Sequence, residues 1–199
     1  MIKIIFFALV LFIFAGCSLK YPFVTEYRVH SDMKHIKGIN GSCKDKSIKI
    51  SHAFSSNALM SNDMRYVLDK TKEFSYTESQ WSISPSNAIS YELLRILRDS
   101  KIFKNALISK SRSNSDLILE TNIEEFVQHF IDKETKSYAD VVISLTLIDA
   151  KNNKVISTNT FSSQIDAKTL DANGGVEALN NALSEVLLQS SIWIKKVCN

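Results

Sequence analysis

Apolar and polar residues alternate along much of this chain of 199 residues, and the alternation predicts most of its strands. The pattern is strongest in residues 138–149, where every second residue is apolar, as in a half-buried strand. Residues 69–73 read as a turn that joins two strands into a hairpin. The last three predicted strands form a meander. The predicted strands are 24–30, 47–54, 64–68, 74–81, 106–108, 117–130, 138–149 and 155–165.

Two other segments repeat their apolar residues at the spacing of a helix. The first covers about 85–100 and begins with Ser84 as a capping hydroxyl, followed by a proline in the first turn. Gly174 and Gly175 are expected to free the backbone before the second, and residues 55–62 read as a polar turn. We therefore predict an α+β fold, with a single mostly antiparallel sheet and two helices packed on one face.

A change of phase in the strand 117–130 falls at Glu124 and Glu125 and predicts a β-bulge. These two glutamates are adjacent in the sequence. We expect them to point to opposite faces of the strand, which is the wrong geometry for a shared acid and base.

The first 16 residues have the features of a bacterial lipoprotein signal peptide. Lys3 precedes an apolar run over residues 4–14, which is too short to span a bilayer. The run ends in Ala15-Gly16-Cys17, where the thiol of Cys17 would carry the lipid after cleavage. An ordinary secretory peptide with an incidental cysteine is the alternative. Because a serine follows Cys17, we expect an acylated protein in the inner leaflet of the outer membrane, facing the periplasm.

The rest of the chain is long enough for one domain. We expect residues 17–23 to form an acylated tether and residues 24–199 a single domain. The chain contains 24 Lys and Arg against 21 Asp and Glu, so its formal net charge is only +3. These charges are interspersed, and they do not form the basic patch that nucleic-acid binding requires.

Two cysteines remain once Cys17 is assigned to the lipid. Cys43 and Cys198 form an even pair in a compartment that oxidises thiols. We predict a disulfide between them, with two free thiols or an intermolecular bond as the alternatives.

The sequence lacks the motifs of common enzymes and metal sites. Its histidines follow no metal-binding spacing, and there is no Gly-x-Ser-x-Gly elbow or phosphate-binding glycine loop. We therefore expect no metal, no cofactor and no enzymatic activity. The four histidines are His30, His35, His52 and His129.

Four residues are candidates for contact with a partner. Lys110 and Arg112 lie in a polar loop that could touch anionic headgroups or an acidic protein, although a solvated loop is the alternative. Trp81 and Trp193 could face a partner or pack in the core.

One stretch of the chain has a recognisable sequence pattern. An aromatic strand, residues 74–81, ends at Trp81, Pro85 follows at a helix start, and the helix ends in Leu97, Ser100 and Phe103. The pattern resembles the ABC-type transport auxiliary lipoproteins, the family that includes the paraquat-inducible lipoprotein of enteric bacteria. Further matching stretches are Leu117-Ile118-Leu119-Glu120, Glu125-Phe126, residues 141–149, Lys154-Val155-Ile156 and residues 176–193. Residues 31–46 depart most from the family.

The resemblance implies an accessory lipoprotein of an ABC-type lipid or phospholipid transport system. Such a protein would be anchored in the membrane and would dock a periplasmic component of the mammalian-cell-entry type. Two alternatives remain: a lipid-binding carrier with an apolar cavity between sheet and helices, and a structural lipoprotein of another envelope assembly. A homo-oligomer is compatible with each of them.

Overall fold

The computed structural model describes residues 23–32, 43–131 and 135–198. In this part of the chain three helices accompany nine strands of one sheet. The helices are α1 (Asn57–Met60), α2 (Pro85–Asp99) and α3 (Ala172–Val197). The strands are β1 (Thr25–Tyr27), β2 (Cys43–Ile50), β3 (Phe54–Ser55), β4 (Asp63–Leu68), β5 (Lys72–Trp81), β6 (Phe103–Ile108), β7 (Leu117–Ile131), β8 (Lys136–Asp149) and β9 (Lys154–Asp166).

Strand β7 is the centre of the sheet because it is long enough to pair with several others. The strands β2, β3 and β4 pair in parallel with successive parts of one edge of β7. The other edge of β7 pairs with β8, and β8 pairs with β9, both antiparallel. The hairpin of β4 and β5 is antiparallel as predicted, whereas β1 joins β5 and β6 joins β2 in parallel.

The α+β class is confirmed, but the sheet is mixed and not mostly antiparallel. Alternation of apolar residues identifies a strand without identifying its neighbour. The three parallel pairings of β7 depend on the crossover connections between strands. The spacing of apolar residues within a strand does not indicate these connections.

The predicted bulge in β7 is confirmed, because its register with β8 shifts between Ile123 and Glu125. Before the bulge, the odd-numbered residues 117–123 face the core, and after it Phe126, Gln128 and Phe130 do so. Glu124 and Glu125 lie at the change of phase, and both are exposed. The expectation that they point to opposite faces is wrong, because the extra residue of a bulge interrupts the alternation.

The two long helices cover the apolar face of the sheet. Helix α3 lies against β7, β8 and β9, while α2 contacts β2, β6, β7 and α3. Side chains from helix α3 and from β8 are fully buried where the two meet. They include Val141, Ile143, Leu145, Leu183, Val186 and Leu187.

Helix α2 begins at Pro85 as predicted, but Ser84 does not cap it in the expected way. The hydroxyl of Ser84 makes no capping bond to the backbone and accepts a hydrogen bond from Asn87 Nδ2 at 2.9 Å. The region predicted as a polar turn, residues 55–62, contains the short helix α1.

Gly174 and Gly175 lie inside helix α3 and do not precede it. The helix begins at Ala172, and the Asp171 side chain accepts from Gly174 N at 2.8 Å. Both glycines are buried in the first turn of α3. A Cβ at Gly174 would lie 2.3 Å from Thr169 O, and one at Gly175 would lie 1.9 Å from Gln128 Oε1. These glycines therefore permit close packing and are not there for backbone freedom.

We predict that Gly174→Ala destabilises the protein. In an ordinary helix this change stabilises by about 1 kcal/mol, but here the new methyl group meets a backbone carbonyl, and overpacking costs about 1–3 kcal/mol. Urea unfolding followed by circular dichroism measures the difference. Asn173→Ala, at an exposed position of the same turn, is the control and should be neutral or slightly stabilising. A stabilised Gly174→Ala variant would contradict the close contact.

The disulfide predicted between Cys43 and Cys198 is confirmed. Their Cα atoms are 5.5 Å apart, and 155 positions of sequence separate them. The bond ties the start of β2 to the residue that follows α3. It thereby links the first part of the sheet to the last helix.

We predict that replacing both cysteines, Cys43→Ser with Cys198→Ser, lowers the free energy of unfolding by about 2–5 kcal/mol. The cross-link closes a long loop, so most of the loss comes from a less restricted unfolded chain. The measurement is urea unfolding of the full chain with and without the double change. Equal midpoints and slopes for the two proteins would contradict this role of the disulfide.

Candidate functional site

The backbone of residues 28–32 is held between the two long helices. On the side of α2, Ser31 N donates to Glu92 Oε2 at 2.9 Å, and the Ser31 hydroxyl donates to the same oxygen. Arg95 Nη2 donates to Ser31 O at 2.8 Å and also pairs with Glu92. Burial alone would raise the pKa of Glu92, but the hydrogen bonds from Arg95 and Ser31 outweigh it and hold that pKa below its usual value.

Helix α3 binds the same segment from the other side. Asn180 Oδ1 accepts from His30 N at 2.9 Å, and Ser184 Oγ accepts from Asp32 N at 2.8 Å. Asn180 Nδ2 donates to Arg28 O at 3.3 Å. We call residues 28–32 the clamped segment. Side chains from two helices thus hold the backbone of this segment in place.

A second feature is the loop between β6 and β7. Lys49 Nζ donates to Ser111 O at 3.2 Å and ties the loop to β2. Lys110 and Arg112 on either side of Ser111 remain exposed. Lys110 also lines a cavity of about 180 Å³ together with Tyr91 and Ile108, whose side chains are 60% and 47% exposed. We call Tyr91, Ile108, Lys110 and Arg112 the basic loop surface.

A cavity of about 320 Å³ lies at the bulge of β7. Its apolar wall includes Trp81 and Phe126, whose ring centroids are 5.7 Å apart. Four carboxylates and one cation line the rest, namely Asp63, Glu73, Glu124, Glu125 and Arg65. Arg65 Nη1 pairs with Glu73 at 3.4 Å. We call this cavity the acidic cavity, because the residues that line it carry a net negative charge, which would attract a cation.

Partial removal of Glu125 from water at the wall of the cavity is the main cause that raises its pKa, although much of the residue is exposed. The nearby carboxylates of Asp140, Glu73 and Glu124 raise it further, because each of them disfavours a second negative charge. The pKa of Glu125 therefore lies above that of an ordinary glutamate.

The structure places the predicted contact residues in different surroundings. Trp81 is only 2% exposed, so the core alternative is correct and Trp81 offers no surface to a partner. Trp193 is half-buried and packs edge-on against Phe161 with 5.7 Å between ring centroids. Lys110 and Arg112 both belong to the basic loop surface. Cys17 lies outside the described residues.

Three of the four histidines lie in the described parts of the chain. His52 Nε2 is 2.8 Å from Asn87 Oδ1, and the ring of His129 stacks on Tyr138 with centroids 4.9 Å apart. Burial lowers the pKa of His129, although Asp140 opposes this effect. Across the described residues no group of three or more His, Cys, Asp or Glu side chains could hold a metal ion.

Sequence reasoning missed the buried polar groups that position these features. In the sequence Glu92 and Arg95 fall outside the apolar positions of helix α2, yet Glu92 is buried. Gln128 is also buried, and it accepts from Tyr76 OH at 2.8 Å and donates to Ser137 Oγ at 2.7 Å. The spacing of three between Glu92 and Arg95 indicates an ion pair, but nothing local indicates that Ser31 completes it.

None of the helices in the described residues is long and apolar enough to cross a membrane. A scan of protein-family models finds no match for this chain, and a search of curated proteins finds none either.

Solved structures do share the fold. The crystal structure of protein XCC0632 from Xanthomonas campestris, described with the family-model name DUF330, has a TM-score of 0.76 and 13% sequence identity, over 87% of this chain and 96% of that one. An uncharacterized protein gives 0.63 at 10% identity, over 89% and 99% of the two chains. The hypothetical protein CT253 from Chlamydia trachomatis gives 0.51 at 8% identity, over 77% and 97%. At these identities the similarity shows a shared fold.

We predict that Glu125→Gln stabilises the protein at pH 7 more than at pH 4. The pKa of Glu125 is higher in the folded state than in the unfolded chain, so its contribution to stability is present at low pH and is lost as the pH rises through the folded pKa. The amide of glutamine does not ionise, so the variant does not lose this stability as the pH rises. Urea unfolding at both pH values measures it. Glu120→Gln, on the same strand before the bulge, is the control, and an equal pH dependence in both variants would contradict the prediction.

Proposed function

We propose that this chain is an accessory lipoprotein of an ABC-type lipid transport system. It would be anchored by an acylated Cys17 in the inner leaflet of the outer membrane, and its domain would dock a periplasmic component of the mammalian-cell-entry type. In this proposal the protein acts by binding and not by catalysis.

The main support is the agreement between sequence and fold. The stretches that resemble the auxiliary lipoproteins fall on β5, α2, β7, β8, β9 and α3, which make up most of the described sheet and both long helices. The fold is also that of XCC0632, which it matches over nearly the whole of that chain.

The clamped segment supports a mechanical role. A lipid on Cys17 would hold the chain at the membrane, and residues 28–32 then join that chain to both long helices. A pull on the domain by a bound partner would therefore reach the anchor through these hydrogen bonds and through β1, which pairs with β5. This is the arrangement expected of a protein that positions something else at a membrane surface.

The interior gives less support to a lipid carrier. Where helix α3 meets β8, the side chains of both elements are fully buried and fill the space between them. The cavity of about 680 Å³ near the turn of β8 and β9 is lined mainly by polar and charged residues, including Lys46, Lys49, Asp116 and Lys151. Acyl chains would require an apolar lining instead.

We place the docking contact at the basic loop surface. It combines an exposed aromatic ring, an exposed isoleucine and two cations on a loop that Lys49 holds in place. Aromatic residues and arginine are enriched where proteins bind one another. Its charge fits an acidic surface on the partner.

The test is recovery of partners with tagged full-length protein from a membrane extract in mild detergent. The expected partners are a mammalian-cell-entry type protein with its permease and ATPase. The double change Lys110→Glu with Arg112→Glu should lower their recovery on the order of tenfold, because it places like charges at the contact.

The matched control reverses two exposed lysines in turns elsewhere, Lys70→Glu with Lys101→Glu, and should leave recovery unchanged. Recovery of only unrelated envelope proteins would refute the transport function and would favour a structural lipoprotein. Equal recovery with both double variants would refute the docking surface alone.

A further inference from the structure

The first described residues enter the sheet from the end where β4, β7 and β9 finish and where β5 and β8 begin. Strand β1 runs parallel to β5, with Thr25 opposite Ser79, so the residues before β1 come from the end at which β5 begins. The pairings of β4, β7, β8 and β9 bring their corresponding termini to the same end. We call it the tether end, and it comprises Phe23, Leu68, Lys72, Ile131, Lys136 and Asp166.

Three exposed apolar side chains lie at the tether end. Phe23, Phe74 and Leu170 are 88%, 46% and 50% exposed. We call these three residues the tether-end patch. Phe74 stacks on Tyr66 with 5.6 Å between ring centroids, and the ring of Tyr76 is 4.8 Å from that of Tyr66. Phenylalanine and leucine are among the side chains that enter the headgroup region of a membrane, and tyrosine is enriched at its boundary with water.

Gln128 connects strand β5 to the residues just before helix α3. Its Oε1 accepts from Tyr76 OH at 2.8 Å, and its Nε2 donates to Asp171 O at 3.3 Å. Leu170 directly precedes Asp171. Tyr76 and Asp171 also line one cavity with residues 77–79, the part of β5 beside which β1 begins. The members of the tether-end patch therefore belong to one surface.

The length of the tether indicates what this surface meets. Under the proposed function, the lipid on Cys17 lies in the bilayer. Cys17 precedes Phe23 by six positions, which span at most about 20 Å when fully extended. The 15 residues of β7 span about 50 Å. A tether shorter than half the length of the sheet therefore holds the tether end beside the bilayer.

Charged residues near the patch offset one another. Asp69 pairs with Lys72 at 3.3 Å, and Lys168 pairs with Glu177. An end with a strong negative charge would be repelled by anionic headgroups. Because the acidic residues here have basic partners, the tether end can approach a lipid surface.

The basic loop surface lies at the opposite end of the sheet. Ile108 is level with Leu119 of β7 through β2, whereas Phe74 is level with Gln128 through β4. The nine positions from Leu119 to Gln128 correspond to about 30 Å of strand. A domain that stands on its tether end therefore presents the proposed docking surface away from the bilayer.

We propose that the tether-end patch contacts the bilayer that holds the lipid of Cys17, and that this contact sets the orientation of the domain. The acyl chains supply the attachment, and the three side chains of the patch lie in the headgroup region. The basic loop surface then points toward a partner further from the membrane. This inference rests on the proposed function, because it requires the acylated anchor.

Fluorescence quenching by lipids tests the contact in the acylated protein. The protein is reconstituted in vesicles of phosphatidylcholine and phosphatidylethanolamine that contain a doxyl-labelled phosphatidylcholine as the quencher. Phe74→Cys and Leu170→Cys each carry a polarity-sensitive fluorophore. Ile156→Cys is the matched control, because Ile156 is 45% exposed and lies near the opposite end of the sheet. The native cysteines do not take up the label, since Cys17 is acylated and the other two form the disulfide.

We expect several-fold stronger quenching at positions 74 and 170 than at position 156. Equal quenching at the three positions, in protein that floats with the vesicles, would overturn the contact and leave the proposed function standing. Failure of the protein to float with the vesicles would refute the anchor, on which both the proposed function and this inference depend.

A charge placed in the patch distinguishes direct contact from proximity to the membrane. In the Leu170→Cys background, Phe74→Glu should lower the quenching several-fold, because a carboxylate opposes transfer out of water. Ile156→Glu, at a position of equal exposure, should leave the quenching unchanged. Unchanged quenching with Phe74→Glu, with the fold intact by circular dichroism, would show that the tether alone keeps this end near the lipid and would overturn the proposal.

Discussion

Helix α3 lies across the meander of β7, β8 and β9, and the rest of the structure depends on the apolar surface buried between them. At this contact four branched side chains of β8 are fully buried, as are Leu183, Val186 and Leu187 of α3. Each such side chain contributes about 1.5–3 kcal/mol on burial. The close first turn of α3 at Gly174 and Gly175 belongs to the same contact, because a larger residue would push the helix away from Thr169 and Gln128.

This contact also fixes the places where function is proposed. With α3 seated on the meander, Asn180 and Ser184 face the clamped segment, and Glu92 and Arg95 complete the clamp from α2. The disulfide holds the end of α3 to the start of β2. Since α3 covers the apolar face, side chains on the other face of β9, such as Thr158 and Thr160, stay exposed. Helix α3 thus joins the clamped segment to the core.

The sequence predicts well those features that depend on local periodicity. The alternation in β8, the hairpin of β4 and β5, the start of α2 at Pro85 and the bulge at Glu124 are all visible in the spacing of residues. The disulfide was predictable too, because assigning Cys17 to a lipid leaves two of the three cysteines as a pair.

Features that depend on distant parts of the chain were not predictable in this way. The parallel contacts of β7 follow from crossovers, and Glu92 is buried only because Ser31 arrives from 61 positions away. The sequence predicts that the two glycines of α3 precede the helix. The residues that require glycine there, Thr169 and Gln128, lie outside the helix and could not be identified from its sequence. Glu124 and Glu125 line the same cavity. The position of the bulge alone does not predict this, because the prediction must also include how the bulge reorients the two side chains.

If the protein is an acylated domain that works by contact at the membrane, radioactive palmitate should label it at Cys17. We expect radioactive palmitate in the full-length protein, and we expect that protein in the outer-membrane fraction. We also expect loss of both the label and the membrane association on Cys17→Ser, with the protein released into the periplasm. An unlabelled native protein, or a Cys17→Ser variant that keeps its label, would contradict the account.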